Sequence, residues 1–325
     1  MFKQFLLIVI SSITISSLAQ FGDPVFDLIE EGITFSDQEK YDEAIVKFDE
    51  ALKIDKKNGM ALFEKGSAIY KKGDFKSSIK LANKVIKMED PGYMMDAFIL
   101  KADAHERLGD KATAIDVYEE ATALYNQSSY LYRKLGLRYM KIGENEKAMN
   151  TLLESIQIDH LNADSHKAFA NVLLKEGFYI RGYLASVRAL MLDPKTKNAL
   201  EIFNLIKADL QAKFAGDEDT LIVFRKIDPI KDNSSLDLGP LILQFNQLIS
   251  ALDKRANRTN FYTDYYLDFY KSIVLQGYTE AMFYDMLSNI KMSEYAVWLE
   301  NPRSQSELSQ YNNWLERYNW PDLSR

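Results

Sequence analysis

Two carboxylates lie four residues apart in the run FYTDYYLDFY (261–270). Asp264 and Asp268 would share one edge of a helix, and aromatics at 261, 262, 265, 266, 269 and 270 would cover a broad face beside them. Paired carboxylates flanking an aromatic cleft are the equipment of glycoside hydrolysis, and an aromatic cleft alone suits a sugar or peptide. The ordinary place for aromatics at helical spacing is a core, with the carboxylates on a solvated edge, and both readings stand on these residues. The three histidines, His105, His160 and His166, form no i, i+4 ligand pair and have no glutamate completing a zinc motif. His105 falls at a core position, and the other two sit close together further on. There is no glycine-rich phosphate loop and no Gly-x-Ser-x-Gly elbow, so no cofactor and no metal is expected. Asn126, Asn233 and Asn257 each open a glycosylation triplet, a pattern that arises often by chance.

Composition narrows the classes. The 325 residues contain no cysteine, which removes disulfides, thiolate metal sites and cysteine nucleophiles. A net charge of −7 argues against general nucleic-acid binding, which rests on cations meeting phosphate. With 47% apolar residues, 14 glycines and 7 prolines, the chain can bury a core and lacks the composition of a disordered one. The opening MFKQFLLIVISSITISSLAQ has a positive residue, Lys3, then an apolar stretch, then small residues Ser17 and Ala19 ahead of Gln20. This is the pattern of a secretory signal peptide over 1–19, cut after Ala19, and it predicts a periplasmic or secreted protein. The segment is too diluted by serine and threonine to read as a membrane anchor, and no later segment is long and apolar enough to span.

The elements that would position any site are set by small residues. Gly32, Gly66, Ala102, Gly136 and Ala170 follow one another at intervals of 34, 36, 34 and 34, and twelve residues after each stands Ala44, Ser78, Ala114, Ala148 or Gly182. Two registers of small residues in step suit pairs of helices whose backbones approach closely at one point per pair. Large residues surround them: Leu28, Leu62, Phe98 and Tyr132, then Phe35, Ile69, Tyr139 and Leu173. Gly73, Gly109, Gly143 and Gly177 recur where each pair must turn, and Asp193-Pro194 closes the last unit. Within a pair the apolar stripe is thin. Ala44, Phe48 and Ala51 make up that of KYDEAIVKFDEALKID (40–55), as expected of a helix with neighbours on both sides.

LYRKLGLRYM (131–140) and YDEAIVKFDEALKID resemble the tetratricopeptide repeat (TPR) family, with its large residue, Leu-Gly and aromatic on helix A and its Ala, aromatic, Ala and Pro along helix B. The resemblance places a lead at 20–24 and five repeats at 25–58, 59–92, 95–128, 129–162 and 163–196. It implies an all-α solenoid of helix-turn-helix units. Repeat 1 lacks the turn glycine, only repeat 5 has the closing proline in place, and Tyr93 and Met94 are inserted before repeat 3. Beyond the repeats, 197–216 reads as a capping helix, 217–239 as a linker, and 240–325 as a helical module with helices expected at 240–252, 260–277, 279–290, 293–300 and 304–318.

The family's ligand-contacting positions map the site. In repeat 4 they are Tyr130, Arg133, Leu137, Met140 and Lys141; in repeat 5, Asp164, Lys167, Asn171, Leu174 and Lys175. Repeat 3 offers Asp96, Ile99, Asp103, Glu106 and Arg107, and repeats 1 and 2 offer Phe26, Ile29, Ile33, Met60, Phe63 and Tyr70. Such a groove would run from apolar to acidic to basic, a surface for an extended or helical segment. Lys167 with Asn171 resembles half of the carboxylate clamp of chaperone-binding relatives, although Glu201 and Leu205 stand at the matching places of the next helix. The resemblance implies a non-catalytic scaffold that binds a protein or peptide, with an acidic segment or chain terminus meeting Arg133, Lys141, Lys167 and Lys175. Against this stands the ordinary solvated lysine face. Carbohydrate or cell-wall binding by the aromatic C-terminal module is the alternative, and a hydrolase built on Asp264 and Asp268 the third.

Overall fold

A computed structural model describes residues 23–193, 242–243, 245–250, 262–287 and 298–318. The expected capping helix and linker, and the leader before them, lie outside the described residues. Every described element is helical, and the chain forms two compact units, 1–126 and 127–325.

The first unit is three helix pairs: α1 (Pro24–Asp37) with α2 (Tyr41–Ile54), α3 (Gly59–Lys71) with α4 (Phe75–Lys87), and α5 (Met94–Arg107) with α6 (Lys111–Leu124). Neighbouring pairs stack, as the thin stripe requires. Ala44, Phe48 and Ala51 of α2 are closed off by Val25 and Ile29 of α1 and by Ala61 and Ala68 of α3. A second cluster joins Leu62, Ala82 and Val85 to Ala97 and Leu100 of the third pair. The second unit holds α7 (Ser129–Ile142) with α8 (Asn145–Ile158) and α9 (Ala163–Lys175) with α10 (Tyr179–Leu192). Its C-terminal part contains a helical segment at 245–250, a π-helical turn (Tyr262–Leu267), α11 (Asp268–Gln276), α12 (Thr279–Leu287) and α13 (Pro302–Arg317).

The two registers of small residues meet where the periodicity places them. A Cβ added at Gly136 would lie 2.6 Å from Cγ of Leu152 and 3.4 Å from the Ala148 carbonyl oxygen; one at Gly182 would lie 3.2 Å from that of Ala170. Side-chain oxygens of Asn58, Asp74, Asp110, Ser128 and Asn162 accept from the first-turn amides of the helices that follow them. The turns inside the pairs use a left-handed residue: Gly73, Gly109, Gly143 and Gly177 have φ between 84° and 97°. In the first pair Glu39 takes that role at φ 61°, and the Lys40 amide reaches back to the Phe35 carbonyl at 2.9 Å, as the Asp74 amide does to Ile69 at 3.1 Å. The fold therefore keeps the turn where the sequence lacks the glycine.

Helix α10 departs from the amphipathic rule. Every residue from Gly182 to Met191 is buried. A helix covered on all sides is an interior helix, and the C-terminal part supplies the cover. The Tyr270 hydroxyl donates to the Leu184 carbonyl at 2.8 Å, and Tyr183 lies 6.3 Å from Phe245, ring to ring. That part thus occupies the end of the stack, where a sixth repeat would otherwise lie.

Candidate functional site

The expected groove residues all stand on the first helix of a pair, and the structure sorts them by burial and partner. In the first unit Phe63 and Tyr70 are half-buried on α3, while Asp103 and Arg107 stand on α5, with Arg107 exposed. Asp103 accepts a hydrogen bond from the buried Tyr118 hydroxyl at 2.6 Å, which fixes its carboxylate against α6. Arg107 lies 5.1 Å over the Phe75 ring, and Phe75 meets Tyr70 edge-on at 5.3 Å. One expected position is not on the groove: Ile29 is buried in the α1–α3 core. The apolar pattern by itself cannot separate a lining isoleucine from a core one.

In the second unit Tyr130 is exposed, and the guanidinium of Arg133 and the ammonium of Lys134 lie 5.2 and 5.3 Å from its ring centre. Arg133 also pairs with Asp164 at 3.5 Å, so two expected contact positions on adjacent helices neutralise each other in part. Lys175 donates to the Asn145 side-chain carbonyl at 3.3 Å, and the same amide donates to Glu176 at 2.6 Å. Asn171 and Lys141 are exposed. Lys167 is half-buried and has no ion-pair partner among the described residues. Arg133 and Lys141 thus stand on α7 and Lys167 and Lys175 on α9, with the charge of Arg133 offset in part by Asp164.

The aromatic run is core. Tyr265, Tyr266, Phe269 and Tyr270 are each at most 1% exposed. An open cleft for a sugar made from these four faces is excluded, because rings used to cover α10 have no face left for a ligand. Of the carboxylates beside them, Asp268 is exposed and the side chain of Asp264 lies outside the described residues.

What holds the C-terminal part in place is a polar cluster that sequence reading missed. His166 is fully buried. Its Nε2 lies 3.0 Å from the His160 carbonyl oxygen, which can only accept, so Nε2 carries the proton. Its Nδ1 is then bare and accepts from the Tyr266 hydroxyl at 2.7 Å. The Tyr265 hydroxyl donates to the same His160 carbonyl at 2.8 Å, and its ring stacks on His166. Burial, seconded by the positive field of Arg188, pushes the His166 imidazole down to about 3. Arg188 is itself buried; its Nε donates to the Tyr265 hydroxyl at 3.4 Å, and its guanidinium lies 4.9 Å from the Phe269 ring centre. The signal in the sequence was there: one arginine inside the apolar run YLASVRALML is a charge that must meet a partner. His105, by contrast, lies 3.3 Å from Asp110 at the turn of its own pair.

Residues 29–93 and 96–128 match family models of the tetratricopeptide repeat. These residues are tetratricopeptide repeats. Among solved structures, the chain is similar to MamA (22% identity over 54% of this chain and 94% of that one, TM-score 0.44). It is similar also to a thermophilic TPR protein of Thermus thermophilus (20% identity, 57% and 98%, TM-score 0.44). A third is YrrB, a TPR protein with an unusual peptide-binding site (17% identity, 54% and 89%, TM-score 0.42). No curated protein matches the chain. The family models end at 128, and the pairs α7–α8 and α9–α10 continue the TPR geometry beyond them, with the same turn glycines and the same small-residue crossings. Among the described residues no helix is long and apolar enough to cross a membrane.

Proposed function

We propose that this chain is an exported, non-catalytic TPR scaffold that holds a protein or peptide segment on the faces of its first helices. The observation that carries the proposal is how side chains divide along those helices. Small and apolar positions such as Gly32, Leu62, Ala102, Gly136 and Ala170 are spent on packing, while Tyr130, Asn171 and Lys175 remain exposed on the same helices. A TPR face of this kind presents spaced anchors to a polypeptide. In the second unit the anchors are Tyr130 with Arg133, then Lys141, Lys167, Asn171 and Lys175, a set suited to an acidic segment or a chain terminus. In the first unit, taken by itself, the candidate anchors are Phe63, Tyr70, Asp103 and Arg107.

The test uses a fluorescein-labelled decapeptide rich in aspartate and glutamate with a free carboxyl terminus. Charge reversal in the double variant Lys167→Glu, Lys175→Glu should weaken it by about tenfold or more at low salt, with unchanged helical circular dichroism. Equal affinity in wild type and variant would remove the second-unit site. Export, proposed from the leader and the absence of cysteine, predicts a mature protein beginning at Gln20 outside the cytoplasm. Cell fractionation with N-terminal sequencing tests it, and a full-length chain in the cytoplasm would refute it.

A further inference from the structure

Helix α4, FKSSIKLANKVIK, contains four lysines and no acidic residue, in a chain of net charge −7. Its residues divide into two faces. Ser78, Ala82 and Val85 are buried, the last two in a core with Leu62 of α3 and with Ala97 and Leu100 of α5. Lys76, Lys80, Lys84 and Lys87 follow at intervals of four, four and three, so they share the opposite face, and all four are exposed. The helical rise makes this row about 16 Å long, with a cation about every 6 Å. Elsewhere in the first unit lysines find acids on a neighbouring helix: Lys47 meets Glu31 of α1 at 2.7 Å, Lys65 meets Asp49 of α2, and Lys72 meets Asp42 of α2. None of the four α4 lysines forms an ion pair among the described residues. The acid at the N-cap of α4, Asp74, accepts from the Ser77 amide at 3.1 Å. The row also works against its own helix. Lysines four apart repel one another, and Lys76 stands in the first turn, at the positive end of the helix dipole, with no acid beside it there. A face of one sign differs from the mixed charge of an ordinary solvated surface.

We infer that the row Lys76, Lys80, Lys84 and Lys87 on the outer face of α4 is a docking ridge for an acidic helix of a partner polypeptide. It lies on a second helix of a pair, goes beyond the first-helix face proposed above, and does not rest on it. Charge complementarity and width select the occupant. A helix with glutamates four residues apart presents carboxylates at the same pitch of about 6 Å, and its width of about 10 Å fits along a single helix. A bilayer surface or a nucleic-acid duplex is broader. Either would also press its own negative charge on the second helices of the neighbouring pairs, where Asp42 and Glu43 of α2 and Asp116, Glu119 and Glu120 of α6 are exposed. The acidic helix relieves the repulsion along the row without meeting those carboxylates.

The test is fluorescence anisotropy on the full chain with a labelled, C-terminally amidated peptide of repeated Glu-Ala-Ala-Ala, and a counterpart with glutamine for glutamate. Wild type should bind the glutamate peptide at least about tenfold more tightly than the glutamine one. The double variant Lys76→Gln, Lys80→Gln should weaken it about three- to tenfold, as two exposed ion pairs are lost. Lys56→Gln, Lys57→Gln, an equal charge change at exposed residues after α2, should leave it unchanged. Carbodiimide coupling of the bound peptide, mapped by mass spectrometry, should join its glutamates to Lys76, Lys80, Lys84 and Lys87 ahead of the exposed Lys53, Lys56, Lys57 and Lys111. Lys76→Gln, Lys80→Gln should melt no lower than wild type, because it removes repulsion, and this guards against a loss caused by misfolding. Equal binding of the glutamine peptide, equal weakening by Lys56→Gln, Lys57→Gln, or coupling spread evenly over all exposed lysines would overturn the ridge. Vesicles of phosphatidylglycerol, or an oligothymidylate, held more tightly than the glutamate peptide and released by the same double variant would overturn the choice of a polypeptide. Binding that survives Lys76→Gln, Lys80→Gln and is lost in Lys167→Glu, Lys175→Glu removes the ridge and leaves the proposed function standing; the reverse pattern supports the ridge whatever becomes of the first-helix face.

Discussion

Protonating His166 should pry the C-terminal part from the fifth repeat, and the size of the effect follows from its hydrogen bonds. The neutral ring donates through Nε2 to the His160 carbonyl and accepts at Nδ1 from Tyr266. A proton on Nδ1 turns that acceptor into a donor facing a hydroxyl that already donates, in a fully buried site under the positive field of Arg188. The folded-state value of about 3 lies below the ordinary histidine value of 6.5, so the unfolded chain takes up the proton first. Stability from this group is complete above about 6.5 and is lost as pH falls from there towards 3. Between pH 7 and pH 5 the loss is about 2 kcal/mol, from about 1.4 kcal/mol per pH unit once the unfolded histidine is charged. In a unit of this size that corresponds to a melting temperature lower by roughly 4–8 °C. Burial raises the carboxyls of Glu64, Asp96 and Asp285, and such groups work in the opposite direction on acidification. The comparison is therefore the pH dependence of wild type minus that of His166→Gln, followed by urea unfolding with tryptophan fluorescence; Trp298 and Trp314 both lie in the C-terminal part. His166→Gln should be less stable at pH 7 by about 1–3 kcal/mol, through buried groups left without partners, yet should lack the extra loss on acidification. If both proteins lose the same stability from pH 7 to 5, His166 is not held neutral in that contact, and the account of how the tail docks fails.

Two further predictions concern the helix pairs. Glu39→Gly should stabilise the first unit by about 0.5–1 kcal/mol, because a left-handed residue with a Cβ is strained by about 1–2 kcal/mol and glycine returns part of that gain as freedom in the unfolded chain; thermal unfolding reads it, and a lower melting temperature would contradict the turn geometry. Gly136→Ala should destabilise the second unit by about 1–2 kcal/mol, since the new Cβ meets the fully buried Leu152 and overpacking outweighs the better helix propensity of alanine; chemical denaturation measures it, and a stabilised variant would mean that α7 and α8 do not cross there.

Much of the fold was legible because the repeat constrains it many times over. Each pair shows the same crossing, so an interval of 34 or 36 residues carries the same message at Gly32, Gly66, Ala102, Gly136 and Ala170. A missing glycine at Glu39 did not obscure the pattern, because the surrounding turn determines the backbone there. The groove was legible only as positions. Ile29 and Phe63 look alike on a repeat diagram, but one is buried inside a core and the other is half-buried at a core's edge, stacked on Tyr93. The basic row was legible as residue types, but the pairing of Arg133 with Asp164 depends on two side chains from different helices converging. His166 and Tyr266 are 100 residues apart, and no local pattern links them.

By itself the sequence determined an all-α chain of paired helices and the residues at each crossing, because those features recur at fixed spacing and depend on neighbours in sequence. Tertiary structure alone decided that the aromatic run is core rather than cleft, and that an arginine and a histidine lie buried between the last pair and the C-terminal part. Burial and charge pairing are properties of what arrives from elsewhere in the chain, and periodicity does not encode that arrival.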